Sequence, residues 1–405
     1  MLKPPALGRP GARRLRPKVL IIGGEDVHAR LELMRGLEGA YALAAAGPAP
    51  DLAPSFARCG FPYFYYPLTR GLGPASDLRA LAALWRLLTR YRPHVVHAFD
   101  TKPGVYGCLA AALAGVPVVV ATVTGRGSLY VGDSPVRRLV RGVYEGLQRL
   151  ASHCADLTIF QNRDDRRDFL ARRIVSAGRS AFIPGSGVRT DLLDPARFSD
   201  CQRRQVRASL GVPPGAPLVT MVSRVIRTKG VAEFAAAARD VRRRFPEAHF
   251  LLVGGADKDS LDGFSPAELA EFSRAVNWHE ARSDVPAVLA ASDVFVLPSY
   301  LPEGIPRVLL EAASMGLPIV TTDSPGCKEA VEEGVNGFLV PVRDPGALSR
   351  AILCLLAQPD LRRHFGQLAR QRAVACFDLP LIVGRTRRLY EELLARKAPR
   401  LAAVT

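Results

Sequence analysis

Val294-Phe295-Val296-Leu297-Pro298-Ser299-Tyr300-Leu301-Pro302-Glu303-Gly304-Ile305-Pro306-Arg307-Val308-Leu309-Leu310-Glu311 carries the fold assignment. Its first four residues are apolar without interruption, the mark of a short strand buried on both faces. Pro298, Pro302, Gly304 and Pro306 then break the run into a loop. From Arg307 a helical pattern begins in which Val308, Leu309, Leu310, Ala312 and Ala313 are all apolar. A doubly buried strand that passes through a short loop into a helix is the unit of a parallel α/β sheet. In such sheets ligands gather beyond the carboxyl ends of the strands.

The same grammar recurs along the chain. Val/Ile/Leu runs at 18–22, 94–97, 117–122, 157–160 and 180–183 alternate with helical patterns such as 78–90 and 136–151. After a polar, proline-rich stretch it restarts with runs at 218–222, 250–253, 294–297, 318–321 and 337–340. The expected organisation is a disordered basic terminus (1–16), a first Rossmann-like domain (17–190), a linker (191–216) and a second Rossmann-like domain (217–375). A helix at 376–398 is expected to pack back on the first domain, followed by a tail (399–405).

With 405 residues, 48% apolar and 23% charged, the chain can fill two cores. Its seven cysteines are odd in number and lack the short paired spacings of zinc or redox motifs, which fits a reduced, cytoplasmic setting. Arg13, Arg14, Arg16 and Lys18 precede no secretory apolar core, because the apolar run ends at Gly23-Gly24. The longest apolar stretch, 107–124, is interrupted by Gly115 and Pro117 and falls short of the ~20 residues of a bilayer span. It reads instead as a buried helix followed by a buried strand.

A formal charge of +17 calls for a polyanionic partner: nucleic acid, anionic lipid headgroups or a phosphate-rich small substrate. No zinc-finger spacing and no aromatic RNA-binding strand motif speaks for nucleic acid. Segment 136–151 sets Arg137, Arg138, Arg141 and Arg149 beside Leu139, Val140, Val143, Leu147 and Leu150. That basic amphipathic pattern fits either docking on anionic lipid at the inner face of the plasma membrane or an ordinary half-buried helix.

Glu303, in a Gly/Pro turn, and Glu311, in the following helix, stand eight residues apart, a spacing that turns both toward the cleft. A glutamate embedded in so apolar a helix needs a partner, and the amides that open the helix would meet an anion. Ser223-Arg224-Val225-Ile226-Arg227-Thr228-Lys229-Gly230 follows a strand directly. Its Arg224 and Lys229 can clamp a diphosphate, one through its fork and the other as a point charge.

On these residues the chain resembles the retaining GT-B glycosyltransferases of family 4, with the E-x7-E spacing in Glu303/Glu311 and the R-x4-K signature in Arg224/Lys229. The resemblance runs from about residue 18 to 385. Several stretches are similar to the branch that extends undecaprenyl-diphosphate-linked oligosaccharides, in particular to N-acetylgalactosaminyltransferases. They include Lys102-Pro103-Gly104-Val105-Tyr106-Gly107, Gln161-Asn162, Thr321-Thr322-Asp323-Ser324-Pro325-Gly326-Cys327 and Gly334-Val335-Asn336-Gly337-Phe338-Leu339-Val340.

The resemblance implies two Rossmann-like doubly wound domains facing across a cleft, and transfer of a hexose or N-acetylhexosamine from a nucleotide-sugar, expected to be a UDP-sugar, to a lipid-linked glycan. It implies no metal and no cofactor beyond that co-substrate. Arg224 and Lys229 would hold the donor diphosphate and Glu311 the ribose. Glu303, with Gly304, Ile305, Pro306 and Arg307, would contact the donor sugar and nearby phosphate. His97, Lys102, Thr124 and Gly125 would face the acceptor.

Three positions depart from the branch: Arg126 where an apolar residue is usual, Trp278-His279-Glu280 ahead of Asp284-Val285, and Arg189 where an aspartate often stands. Asp257-Lys258-Asp259 imitates a metal-diphosphate motif but is expected to be a solvated loop. His94 and His97, three apart on a strand, point to opposite faces and cannot share a metal. The alternatives are a nucleotide-sugar epimerase of the same fold and a non-catalytic basic protein that binds lipid or nucleic acid.

Overall fold

The computed structural model describes residues 16–69, 73–257 and 262–401. Most of the basic terminus, Arg13 and Arg14 included, thus lies outside the described residues, as do Lys258 and Asp259.

Two sheets form, one from each half. The first contains β1 (Lys18–Ile22), β2 (Ala42–Gly47), β3 (Tyr63–Tyr65), β4 (Val95–Phe99), β5 (Val118–Val123), β6 (Leu157–Phe160) and β7 (Ser180–Phe182). The second contains β8 (Leu218–Val222), β9 (His249–Val253), β10 (Asn277–His279), β11 (Val294–Leu297), β12 (Ile319–Thr322) and β13 (Gly337–Val340). Their strand orders are 3-2-1-4-5-6-7 and 10-9-8-11-12-13. All pairings are parallel. The order therefore reverses between β1 and β4 in one sheet and between β8 and β11 in the other, which opens a crevice at the carboxyl ends of those strands.

The β-branched runs became strands to within a residue or two. Three strands lack that signature. β2 is Ala-Leu-Ala-Ala-Ala-Gly, poor in β propensity. It is a strand because pairing with β1 (Val19 opposite Leu43) buries it. β3 and β10 are three residues each. The apolar stretch at 107–124 resolves into the end of helix Thr101–Leu113 and strand β5. Among the described residues no helix is long and apolar enough to cross a membrane.

The segment expected to be a plain linker holds a helix, Asp200–Ser209, closed at its start by a Ser199/Gln202 capping box. Arg203 and Arg207 tie it to the second domain through the Ala290 and Ala291 carbonyls and Asp293.

Helix Pro359–Arg372 packs into the second core through Phe365 and Ala369. Helix Leu379–Leu401 instead crosses to the first domain, where Leu379, Ile382, Val383, Tyr390 and Leu393 join the β1 and β4 side chains in one cluster. At the crossover Val188 and Asp378 pair as a parallel bridge, and the Thr190 hydroxyl donates to Asp378 at 2.8 Å.

Candidate functional site

In the second domain the loops after β8, β9, β11 and β12 converge. The β8 loop turns at Arg227–Lys229, and Lys229 comes to lie buried against the β11 loop, its ammonium ion-paired with the Glu303 carboxylate. The Ser299 hydroxyl donates to the same carboxylate oxygen at 3.3 Å. Glu303 and Lys229 are 74 positions apart, yet each supplies the partner that burial of the other requires. Arg224 stands further out, half exposed, and pairs at 3.0 Å with Asp257 of the β9 loop. Asp257 is thus no solvated loop charge: the β9 loop is drawn alongside by a Val225–Ala256 bridge.

Glu311, the second glutamate, lies in helix Arg307–Ser314 and takes its hydrogen bond from Arg307 Nε at 2.9 Å. The other arm of Arg307 crosses the cleft: Nη2 donates to Glu32 of helix Leu31–Leu37 in the first domain at 2.6 Å.

The first domain meets this site through the loop after β5. Gly125 forms a bridge with Glu303, the Gly304 amide donates to the Thr124 carbonyl, and the Gly127 amide donates to the Pro302 carbonyl at 2.8 Å. The two main chains approach so closely that only glycines fit. A Cβ on Gly125 would lie 2.4 Å from the Glu303 Cα, and one on Gly304 would lie 2.8 Å from the Thr124 carbonyl oxygen. Asn162 adds a bond to the Glu303 carbonyl at 3.1 Å, and Arg163 grips Glu329 through its amide and side chain.

Thr124 and Gly125 therefore face the paired glutamate and lysine. His97 makes no contact with that pair: it is buried beside a small cavity it shares with Arg30, Gln161 and Gly185, and its two ring nitrogens are used by the Thr122 and Tyr390 hydroxyls, each at 2.6 Å. Burial, with Arg30 adding a like charge, pushes this imidazole down to about 3, so it is neutral at any physiological pH. The family resemblance implies an acceptor-side place for it; the helix Leu379–Leu401 that brings Tyr390 over it is remote in sequence. Lys102 is likewise turned away, paired with Asp77 of helix Pro74–Tyr91 at 2.6 Å. Arg126 is not an open charge, since Asp165 at 2.8 Å and Asp168 at 3.4 Å neutralise it.

The residues that do line the first-domain side escaped the sequence reading. Asp100, between β4 and its helix, has φ 69° and ψ −177°, a conformation costly for any residue but glycine. It is held there by the Thr124 hydroxyl at 2.8 Å and the Gly24 amide at 3.2 Å. Asp26 lies beside it, and Arg30 approaches both carboxylates at 3.7 and 3.8 Å. Partial burial and the neighbouring Asp100 raise the Asp26 carboxyl above its usual range, against the lowering effect of Arg30. Only the occurrence of an aspartate at a strand end hinted at Asp100, and strand-end aspartates are common.

Beyond this loop runs helix Pro135–Cys154, capped by Ser134. Leu147 and Ala151 pack on the first core, but a second apolar row faces outward: Val136, Leu139, Val143 and Leu150 are 71%, 71%, 61% and 54% exposed. Glu145 is buried instead, where Tyr130 and Arg172 satisfy it. An ordinary half-buried helix carries polar residues on its outer face instead.

Two family descriptions match. "Glycosyl transferase 4-like domain" covers residues 23–185 and "Glycosyl transferases group 1" covers residues 202–372. The chain is 30% identical over 338 residues to N,N'-diacetylbacillosaminyl-diphospho-undecaprenol alpha-1,3-N-acetylgalactosaminyltransferase of Campylobacter jejuni, covering 83% of this chain and 87% of that protein. It is 29% identical over 357 residues to UDP-Gal:alpha-D-GlcNAc-diphosphoundecaprenol alpha-1,3-galactosyltransferase of Escherichia coli, covering 87% and 88%. Among solved structures, the fold superimposes on Anabaena HepE in complex with UDP with a TM-score of 0.76 at 20% identity, over 93% of this chain and all of that one.

Proposed function

The chain belongs to the group 1 glycosyl transferases, with a glycosyl transferase 4-like first domain, and from that membership we propose the following reaction. A hexose or N-acetylhexosamine passes from a UDP-sugar, with retention of configuration, to a lipid-linked glycan in cell-surface polysaccharide or glycoconjugate biosynthesis. The observation that carries this reading is the Lys229–Glu303 pair at the start of helix Arg307–Ser314, opposed across the cleft by Thr124 and Gly125.

Lys229 and Arg224 neutralise the departing diphosphate, the charge that grows most as the reaction proceeds. These two cations do the electrostatic work for which other transferases use a metal ion. The amides of Ile305 and Arg307 face the same anion at the helix start, while the Gly304 amide is held by the Thr124 carbonyl and Pro306 fixes the turn. Glu311 accepts from the ribose hydroxyls, and Glu303 accepts from the donor sugar while keeping the Lys229 ammonium in place.

The bond from the anomeric carbon to the diphosphate oxygen breaks as the acceptor oxygen bonds to that carbon on the same face. The acceptor's proton goes to the departing diphosphate oxygen. Asp100, backed by Thr124, takes over the acceptor-side part first expected of His97 and Lys102.

The acceptor class is supported by the names of the Escherichia coli and Campylobacter jejuni relatives, both of which specify diphospho-undecaprenol sugars. Such an acceptor is confined to a bilayer, which fits peripheral attachment at the cytoplasmic face of the plasma membrane. The outward apolar stripe of helix Pro135–Cys154, flanked by Arg137, Arg138 and Arg149, suits that attachment.

A direct test incubates the protein with UDP- and GDP-sugars in EDTA, with and without undecaprenyl-diphosphate-linked sugars, and follows free nucleotide diphosphate. Acceptor-dependent release from one donor, lost in Glu311→Ala and Lys229→Ala, is the expected result. Release from none of them would sink the proposal, and conversion of the donor sugar into its epimer without release would favour the epimerase.

A further inference from the structure

We infer that Glu32, in the first domain, is a positioning residue for donor binding in the second: it draws one arm of Arg307 away from Glu311 when the cleft is closed. The inference rests on the reading of Glu311 as the ribose acceptor.

Arg307 opens its helix, where the positive end of the helix dipole disfavours a cation. An arginine four residues ahead of a glutamate is also the weaker orientation of an i,i+4 pair. Helix stability thus gives no reason for this arginine. Its geometry does: Nε meets Glu311 Oε1 at 2.9 Å, and Nη2 meets Glu32 Oε2 at 2.6 Å in the opposite domain. Among the described residues Glu311 Oε2 has no partner, so that oxygen is open to a vicinal diol.

Nε and Nη2 form the fork that fits a single carboxylate with two parallel bonds. When the cleft opens, helix Leu31–Leu37 withdraws Glu32. The fork then closes on both oxygens of Glu311, and the ribose loses its acceptor. Glu32 and Glu311 compete for one guanidinium, and the outcome depends on whether the domains are together. Closure and nucleotide affinity are therefore linked, and by reciprocity a bound nucleotide favours closure.

The test is a double-variant cycle on the full chain, with calorimetric titration of UDP and of GDP. Glu32→Gln keeps the shape of a half-exposed side chain and removes its charge. It is expected to weaken UDP binding roughly fivefold or more in the native background, and by less than about twofold when Arg307→Gln is present as well. A loss of similar size in both backgrounds would mean that Glu32 acts by another route and would overturn the inference, as would unchanged affinity in Glu32→Gln alone. If the native chain binds neither UDP nor GDP, the donor-site reading itself fails, and this inference with it.

Discussion

Replacing Gly125 by alanine tests whether the two domains must meet at this point. The added methyl carbon would sit 2.4 Å from the Cα and 2.6 Å from the carbonyl carbon of Glu303, and 2.7 Å from the Gly304 nitrogen. All three are backbone atoms that cannot swing aside, and φ of 129° at Gly125 adds strain for any residue with a Cβ. The strain amounts to ~1–3 kcal/mol. Separating the loops to relieve the clash also gives up the Gly304-to-Thr124 and Gly127-to-Pro302 hydrogen bonds, at ~1 kcal/mol each. The closed form is thus disfavoured by ~3–5 kcal/mol, a factor of ~10²–10⁴ in its population. Each domain keeps its own core, so the chain stays folded. Glycosyl transfer should fall by about that factor, and small-angle scattering should report a larger radius of gyration. Turnover within threefold of the native chain, with unchanged scattering, would refute the assignment of the Thr124–Gly127 loop to the reacting cleft.

Lys229→Met should lower kcat/KM by ~10²–10³ by removing a charge set against the leaving group, and it also leaves Glu303 without its partner; saturation kinetics with the identified donor would check it. Changing Leu139, Val143 and Leu150 together to serine should reduce co-sedimentation with anionic liposomes about tenfold or more, since each lost aliphatic contact is worth on the order of 1 kcal/mol. Transfer to a short-chain, water-soluble acceptor should continue, and unaltered sedimentation would count against the docking face.

His97, whose folded value of about 3 lies below the unfolded value of 6.5, takes up a proton on unfolding before it does so in the native state. Its contribution to stability is complete above pH 6.5 and is lost as pH falls from there toward 3. At pH 5 the loss comes to about 2 kcal/mol. Denaturant titrations at pH 7.5 and 5 should show a smaller pH effect in His97→Gln than in the native chain, and equal slopes would contradict the burial argument.

The parallel architecture was legible in the sequence because short, uniformly apolar Val/Ile/Leu runs separated by helix-length segments fit few other folds. The neighbourhood of Arg224, Lys229, Glu303 and Glu311 was legible as well: the first three lie in loops that directly follow such strands and Glu311 in the helix that comes next, so local spacing fixes where they stand. β2 was not legible, because an alanine-rich segment becomes a strand only when a neighbour buries it.

The first-domain side of the cleft was decided by tertiary structure alone. Both ring nitrogens of His97 are engaged, one by Tyr390, 293 positions away, and Lys102 is paired with Asp77. Arg126, an open charge in the sequence, is neutralised by Asp165 and Asp168. The helix Pro135–Cys154 is amphipathic in any sequence reading, but which stripe faces water depends on what the rest of the domain leaves for it to cover. Glu32 joins the site only through Arg307 across the cleft. Local spacing determines which chemistry a loop can carry. Which partner satisfies each charge is set by contacts between residues far apart in the chain, made within one domain for Lys102, Arg126 and Lys229 and only across the closed cleft for Glu32.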